Sequence, residues 1–443
     1  MKSSGSTTVG ETPVTSPRPA PPAEDTNKAA LLQPTYAAAF QCIGPNCEAP
    51  CCGEWDIPLD ENTYKKYQSF PPKKLGDIVS QFVIVNRSHQ PEELYGQIRR
   101  TSSGWCPFLG EDRLCAIHKE YGSRLLSASC SIYPRSLSIV AGRLEGSLSL
   151  SCPEATRNVL LIPGFMQRMS DLYAGDFRTD NYYRLAGNPG EPITKPHSVF
   201  LPLRNMLIDM VRDRSRPLWN RLLTIGHLCK KLDALDATQS EAKLLSGLRC
   251  LDQWLTTPRF QAEINTLPGN PRLRLKTIFG LTDILMQNEP SIRFQDTFWS
   301  FVAGIGSPAD SLPGNDLERF LEAEQKYHLP FFEESPFILE NYLINYIFQN
   351  LFPFGRSGSA DFTPQSIFAE YLQMTTQFAW INALLIGIAG HRKQALATEH
   401  VVNTIQSFTR AVEHYPYLLK SINNYMSTSN LNSLHGMAIM LKH

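Results

Sequence analysis

The sequence predicts an α+β chain that is mainly α, with a small cysteine-rich metal-binding α+β unit packed on a larger helical domain. Three observations lead there. Eight of the ten cysteines fall between Cys42 and Cys152, with only Cys229 and Cys250 beyond them. Residues 34–157, which hold those eight, mix tight turns with short strand-like runs. Residues 158–443 carry apolar side chains at helical spacing. A chain of 443 residues is long enough for more than one such unit.

Residues 1–33 set Pro13, Pro17, Pro19, Pro21 and Pro22 among serines, threonines and alanines, with little to bury, and are expected to be a disordered tail. In the cysteine-rich unit, Asp60 to Tyr67 reads as a helix capped by Asp60. Phe82 to Val85 and Arg143 to Ser151 read as strands, the second placing Leu144, Leu148 and Leu150 near one face. In the helical domain Leu339, Tyr342, Leu343, Tyr346, Ile347 and Leu351 follow one broad apolar stripe. Residues 240–255, 316–328, 365–385 and 398–415 repeat that rhythm, separated by loops such as Ser307-Pro308, Pro313-Gly314 and Pro353-Phe354-Gly355.

The cysteines carry the chemistry. Cys42, Cys47, Cys51 and Cys52 form one tight cluster with Gly44, Pro45 and Pro50 turning the chain between them, and Cys106, Cys115, Cys130 and Cys152 follow after a gap. Thiolates at such intervals suit a metal centre, and turn-like or proline-flanked surroundings let backbone N–H groups aim at sulfur. Core packing does not concentrate cysteines this way, and the polar N-terminus has no apolar leader toward a disulfide-forming compartment. Zinc and an iron–sulfur cluster compete for the same four-thiolate set; no paired Cys-x2-Cys knuckle of a zinc ribbon occurs, and distant ligands closing one site modestly favour iron. His118, three residues after Cys115, is weighed as a further ligand against a simple hydrogen-bonding role.

Other classes are excluded or weakened. Forty-two basic and 42 acidic residues cancel and form no basic stripe, so no nucleic-acid partner is expected. The apolar run from Trp380 to Gly390 is shorter than the about 20 residues a bilayer crossing needs, so no transmembrane segment and a cytoplasmic protein are expected, with peripheral membrane contact left open. Gly304-Ile305-Gly306 and Gly387 to Gly390 fall short of a dinucleotide-binding pattern and read as helix-packing residues. The chain has no P-loop, no Gly-x-Ser-x-Gly and no His-Glu-x-x-His, and Glu54 stands where a Cys-x3-Cys-x2-Cys radical motif needs its third cysteine.

Phe40-x-Cys42-x4-Cys47-x3-Cys51-Cys52, Trp55-x-Ile57-Pro58-Leu59, Cys106-Pro107-Phe108-Leu109, Leu114-Cys115-x-Ile117, Cys130-x-x-Tyr133-Pro134-Arg135 and Leu150-Ser151-Cys152-Pro153-Glu154 closely resemble, in that order, the flagellin lysine N-methylase family. Glu340-Asn341-Tyr342-Leu343-x-Asn345 and Leu351 to Phe354 fit the same family. A broader group of cysteine-cluster domains, described as zinc or iron chelators, is more distantly similar. The resemblance implies methyl transfer from the co-substrate S-adenosylmethionine to lysines of the partner flagellin, with a 4Fe-4S cluster as cofactor. Lysine methylation needs a group that strips or holds the ammonium proton, for which Glu340 with Tyr342, or Tyr133 beside the cysteines, are the candidates, and the methyl-donor pocket is expected near the junction of the two units. An electron-transfer protein and a zinc-stabilised interaction module are the alternatives.

Overall fold

The structure, a computed structural model, describes residues 30–53, 55–86, 95–164, 169–173, 178, 182–185, 196–306, 315–357, 366–393, 396–413 and 416–442. Residues 1–29 of the expected tail lie outside these. The tail ends earlier than expected, because Ala30–Pro34 forms strand β1. Leu31 is the reason: it is fully buried against Ile132 and Leu137.

Eight further strands follow among the described residues: β2 (Ile57–Leu59), β3 (Val83–Val85), β4 (Gly96–Ile98), β5 (Arg135–Val140), β6 (Arg143–Leu148), β7 (Met169–Tyr173), β8 (Tyr183–Leu185) and β9 (Arg356–Ser357). One sheet runs β7-β1-β6-β5-β8-β9 and a smaller antiparallel one runs β2-β4-β3. The β5–β6 hairpin pairs Arg135 with Leu148 and Val140 with Arg143. Its two turn residues, Ala141 and Gly142, both have positive φ (47° and 76°), the twist that a two-residue hairpin requires. The strands expected at 82–85 and 143–151 are therefore present, the second ending at Leu148. The helix expected at 60–67 spans Glu61–Gln68, and the Asp60 side chain accepts from the Thr63 N–H as its cap.

The helical rhythm of the remainder resolves into long rods. Glu241–Leu255, Phe337–Gln349, Ile367–Arg392 and Thr398–Glu413 match the expected positions. The stretch expected at 316–328 is α-helical over Asn315–Ala323 and then widens into a π segment, Glu324–His328. There the fully buried Arg274 guanidinium donates to Glu324 at 2.9 Å.

The apolar run around Trp380 belongs to the 26-residue helix Ile367–Arg392, so its length is greater than expected. By length and composition that helix qualifies as a membrane span, yet 89% of its most apolar window is buried inside the fold. It is the central core helix. Gly304 and Gly387 let Ile292–Ile305 cross it closely: a Cβ on Gly304 would stand 1.8 Å from the Gly387 carbonyl oxygen.

Besides the small Leu31–Ile132–Leu137 cluster, two hydrophobic cores organise the described residues. The smaller gathers Ile57, Leu59, Tyr67, Phe70, Val83, Ile98 and Phe108, with Cys106 among them. The larger begins at Tyr36, takes in Leu148, Leu150, Cys152 and Val159, and continues to Leu441. Residue 157 is thus not a boundary for packing. The Pro153–Leu160 helix and the end of β6 lie in the same core as the helical domain, because Asn345 donates to the Leu148 carbonyl and Asn341 to the carbonyls of Val159, Leu160 and Ile162.

Candidate metal centre and adjoining cavity

The turns around the cysteines aim backbone donors at sulfur. Cys42 accepts from the Gly44 N–H at 3.4 Å. Cys115 and Cys152 precede the helices Ala116–Tyr121 and Pro153–Leu160, whose first N–H groups, of Ile117 and His118 and of Glu154 and Ala155, reach back to the thiols. Cys106 takes the Phe108 N–H, and Cys130 takes a hydrogen bond from Ser127. Such donors hold a negatively charged sulfur.

Burial opposes that charge. It pushes Cys106 and Cys152 up to about 12 and raises Cys47, Cys115 and Cys130 as well. Cys51 is the exception. The Cys52 thiol donates to it and Arg410 faces it, lowering Cys51 while Cys52 is driven up by the same contact.

Cys51 is also where the two stretches meet. Cys52, Cys106, Cys115, Cys130, Cys152 and Cys47 all interact electrostatically with it, and Cys42 with Cys47. The Cys106 N–H donates to the Cys52 carbonyl at 2.7 Å, which ties the stretches through their backbones. Cys52, Cys115 and Cys130 pack on the small core that contains Cys106, whereas Cys152 belongs to the large one. All eight candidate cysteines are free thiols.

Arginines surround the first cluster. Arg410 donates to the carbonyls of Ala49, Pro50 and Gly53. Arg113 donates to the Cys47 carbonyl, and Arg135 to that of Phe40. Arg157 pairs with Glu48, with Arg293 3.7 Å from the same carboxylate. Soft sulfur donors, N–H groups directed at them and a cationic collar fit a thiolate-bound zinc ion or an anionic iron–sulfur cluster. Among the described residues, however, no three Cys, His, Asp or Glu side chains already stand as a ligating group, so binding requires the thiols to deprotonate and turn inward together.

The catalytic candidates part company. Glu340 is buried, and its carboxylate is occupied by Arg214 (2.7 Å) and Arg221 (2.9 Å). That pairing commits both carboxylate oxygens to arginines. Tyr342, two residues on, points elsewhere: with Asn345, Tyr346, Gln349, Arg356, Glu370, Gln373 and Glu413 it lines a cavity of about 180 Å³. Tyr133 lies between cavity and cysteines. Burial raises it well above an ordinary phenol, with Cys152 adding to the effect, and its OH stands 3.1 Å from Ser151 Oγ. Ser151 Oγ is 2.7 Å from Ser149 Oγ, which donates to Glu413 at 2.6 Å. Glu413 accepts from Gln349, Gln349 from Asn345, and Asn345 from the Tyr36 OH. One chain of hydrogen bonds therefore joins the cysteine neighbourhood to the cavity.

A family model described as the FliB lysine N-methylase C-terminal domain matches residues 204–440, more than half of the chain. The chain belongs to the FliB lysine N-methylase family. Over 140 residues, 31% of this chain, it is 37% identical to a lysine-N-methylase of Salmonella typhimurium and to one of Salmonella choleraesuis, covering 34% of each. The same length is 37% identical to the flagellar biosynthetic protein FliU of Salmonella muenchen, covering 80% of it. The match thus spans about a third of the two Salmonella methylases. No solved structure matches the chain.

Arg410, Glu413, Ser149 and Ser151 are functional candidates that the sequence reading did not single out. Arg410 and Glu413 sit on one helix, three residues apart, where a charged pair reads as a solvent face. The signal that was present is the Leu150-Ser151-Cys152 stretch, which carries the serine relay beside a cysteine.

Proposed function

We propose that this family member is a protein-lysine N-methyltransferase that uses S-adenosylmethionine as methyl donor and flagellin as substrate, in the cytoplasm, with a metal centre held by its cysteines. The observation that carries the reading is the family match across residues 204–440 together with the gathering of six other free thiols around Cys51. Methyl transfer forms a bond between lysine Nζ and the methyl carbon and breaks that carbon's bond to sulfur, whose departing electron pair leaves S-adenosylhomocysteine. The ammonium proton must be lost first, so a partly dry polar pocket with fixed acceptors is required.

Cys106, Cys115 and Cys130, with Cys51 or Cys52 completing the set, would hold a 4Fe-4S cluster, and zinc would take the same donors. The bound centre would supply structural stability or redox chemistry. The chain's own residues do the rest: Arg410 fixes the turn that carries Cys51 and Cys52, and the Tyr133–Ser151–Ser149 chain orients Glu413 toward the cavity.

The test is incubation of anaerobically purified protein with S-adenosylmethionine labelled in its methyl group and unmethylated flagellin. The expected result is label on lysine, lost when the metal is stripped. Label on neither lysine nor any other flagellin residue overturns the reading in favour of an electron-transfer or zinc-stabilised module.

A further inference from the structure

Glu413 differs from four other shielded carboxylates of this chain. Glu145 is held by Arg204 at 2.6 Å, Glu324 by Arg274 at 2.9 Å, Glu340 by two arginines and Asp60 by Arg178 at 2.9 Å. Glu413 instead accepts only from neutral groups, Ser149 Oγ on one oxygen and Gln349 Nε2 (3.1 Å) on the other, with no cationic partner among the described residues. A partly buried carboxylate without a counter-charge still favours a cationic partner, and neutral donors supply only part of what such a partner would.

The cavity it faces is shaped for the missing charge. Its phenols, Tyr342 and Tyr346, are held neutral by burial, with the Glu413 charge adding to the effect at Tyr342 and the Glu370 charge at Tyr346. Against two carboxylates the lining offers one guanidinium, Arg356, which lies 4.4 Å over the Tyr183 ring. The lining is therefore one positive charge short of neutral. Gln373 adds a buried carbonyl oxygen with no hydrogen-bond partner, an acceptor suited to an N–H donor. Aromatic faces, acceptors and net negative charge form the set that recognises an alkylammonium. At about 180 Å³ the space far exceeds the ~10–15 Å³ that one water needs.

We infer that this cavity is the seat of the substrate's lysine head group, with Glu413 as its counter-charge and Tyr342 and Tyr346 as its walls. The inference deepens the proposed methylase reading and rests on it for the identity of the cation. Ser149 and Gln349 act as positioning residues, fixing the carboxylate so that its remaining lone pairs face the cavity.

The test is calorimetric binding of three probes to the full chain: Nα-acetyl-lysine methylamide, its Nε-trimethyl form, and the neutral isostere Nα-acetyl-norleucine methylamide. The expected result is binding of both cations at least tenfold tighter than the neutral probe, with that preference lost in Glu413→Gln and kept in Glu263→Gln, an exposed control. No preference in the unmutated chain, or one that survives Glu413→Gln, overturns the inference. Discrimination by the unmutated chain needs no variant, so the outcome stands even if Glu413→Gln does not fold. Selective cation binding without methyl transfer to flagellin would remove the methylase reading and leave the cation site. Methyl transfer that Glu413→Gln performs with unchanged KM would remove the cation site alone.

Discussion

Arg410 reaches from the Thr398–Glu413 helix to the Gly53 carbonyl at 2.7 Å, across 357 positions of sequence. Two further bonds, to Ala49 and Pro50, make the guanidinium a clasp on the turn that carries Cys51 and Cys52. The cysteine turn is thereby fixed by the same helix that ends in Glu413, so the candidate metal centre and the cavity share one rigid support.

Loss of that clasp has a predictable cost. Arg410 is 8% exposed, and charge-assisted bonds to carbonyls contribute about 1.5–3 kcal/mol each in favourable cases. Arg410→Gln is expected to lower unfolding free energy by about 2–4 kcal/mol, since glutamine still reaches part of the turn. Urea unfolding measures it. An unchanged midpoint would show that the clasp is not a structural link.

The proposed metal centre divides the cysteines into two groups of variants. Cys106→Ser, Cys115→Ser and Cys130→Ser are each expected to reduce bound metal severely, because all three thiols border the small core beside Cys51 and Cys52. Cys250→Ser, at an exposed helix position, should leave metal content intact. Metal and sulfide analysis of anaerobically purified protein distinguishes the two groups. Equal content in all four variants would refute the assignment.

Glu340 predicts a different phenotype from Glu413. Removing one partner of a buried ion pair strands the other charge, so Glu340→Gln is expected to cost about 3–5 kcal/mol. Most of this should arise from Arg221, whose side chain is 6% exposed, since Arg214 at 54% is largely solvated. The folded fraction should retain its affinity for a lysine probe. A loss of affinity with unchanged stability would restore Glu340 as a site residue.

The contrast between these two glutamates shows what the sequence made legible. The cysteine turns, the Asp60 cap and the long helices are local, written in spacing and in the residues beside each turn. The Glu340-Asn341-Tyr342 motif was recognisable, but its side chains diverge: Glu340 to two arginines, Asn341 to the end of the Pro153–Leu160 helix, Tyr342 to the cavity. That Glu340 receives two arginines is settled by packing between segments 119 and 126 residues apart, and no local pattern encodes it. The same holds for β1, whose pairing partners lie at 143–148 and 169–173 and whose five residues alone do not announce a strand.

A histidine adds a pH dependence. Burial lowers the pKa of His227, helped by the nearby charges of Lys230 and Lys231, and its ring meets Phe260 edge to face at 5.1 Å. A histidine that is harder to protonate when folded stabilises the fold above its unfolded pKa of about 6.5. As pH falls below that value the unfolded chain takes up the proton first, and stability is lost down to the folded pKa. Urea midpoints at pH 7.5 and pH 5.5 should differ more for the native chain than for His227→Gln. Equal differences would remove His227 as the cause.

The central claim, that thiols from two separated stretches close on one metal centre, is tested most directly by X-ray absorption at the metal edge of anaerobically purified protein. The account predicts a first coordination shell made of sulfur alone, diminished by Cys115→Ser. A shell of oxygen and nitrogen, or a protein that carries no stoichiometric metal, would contradict it.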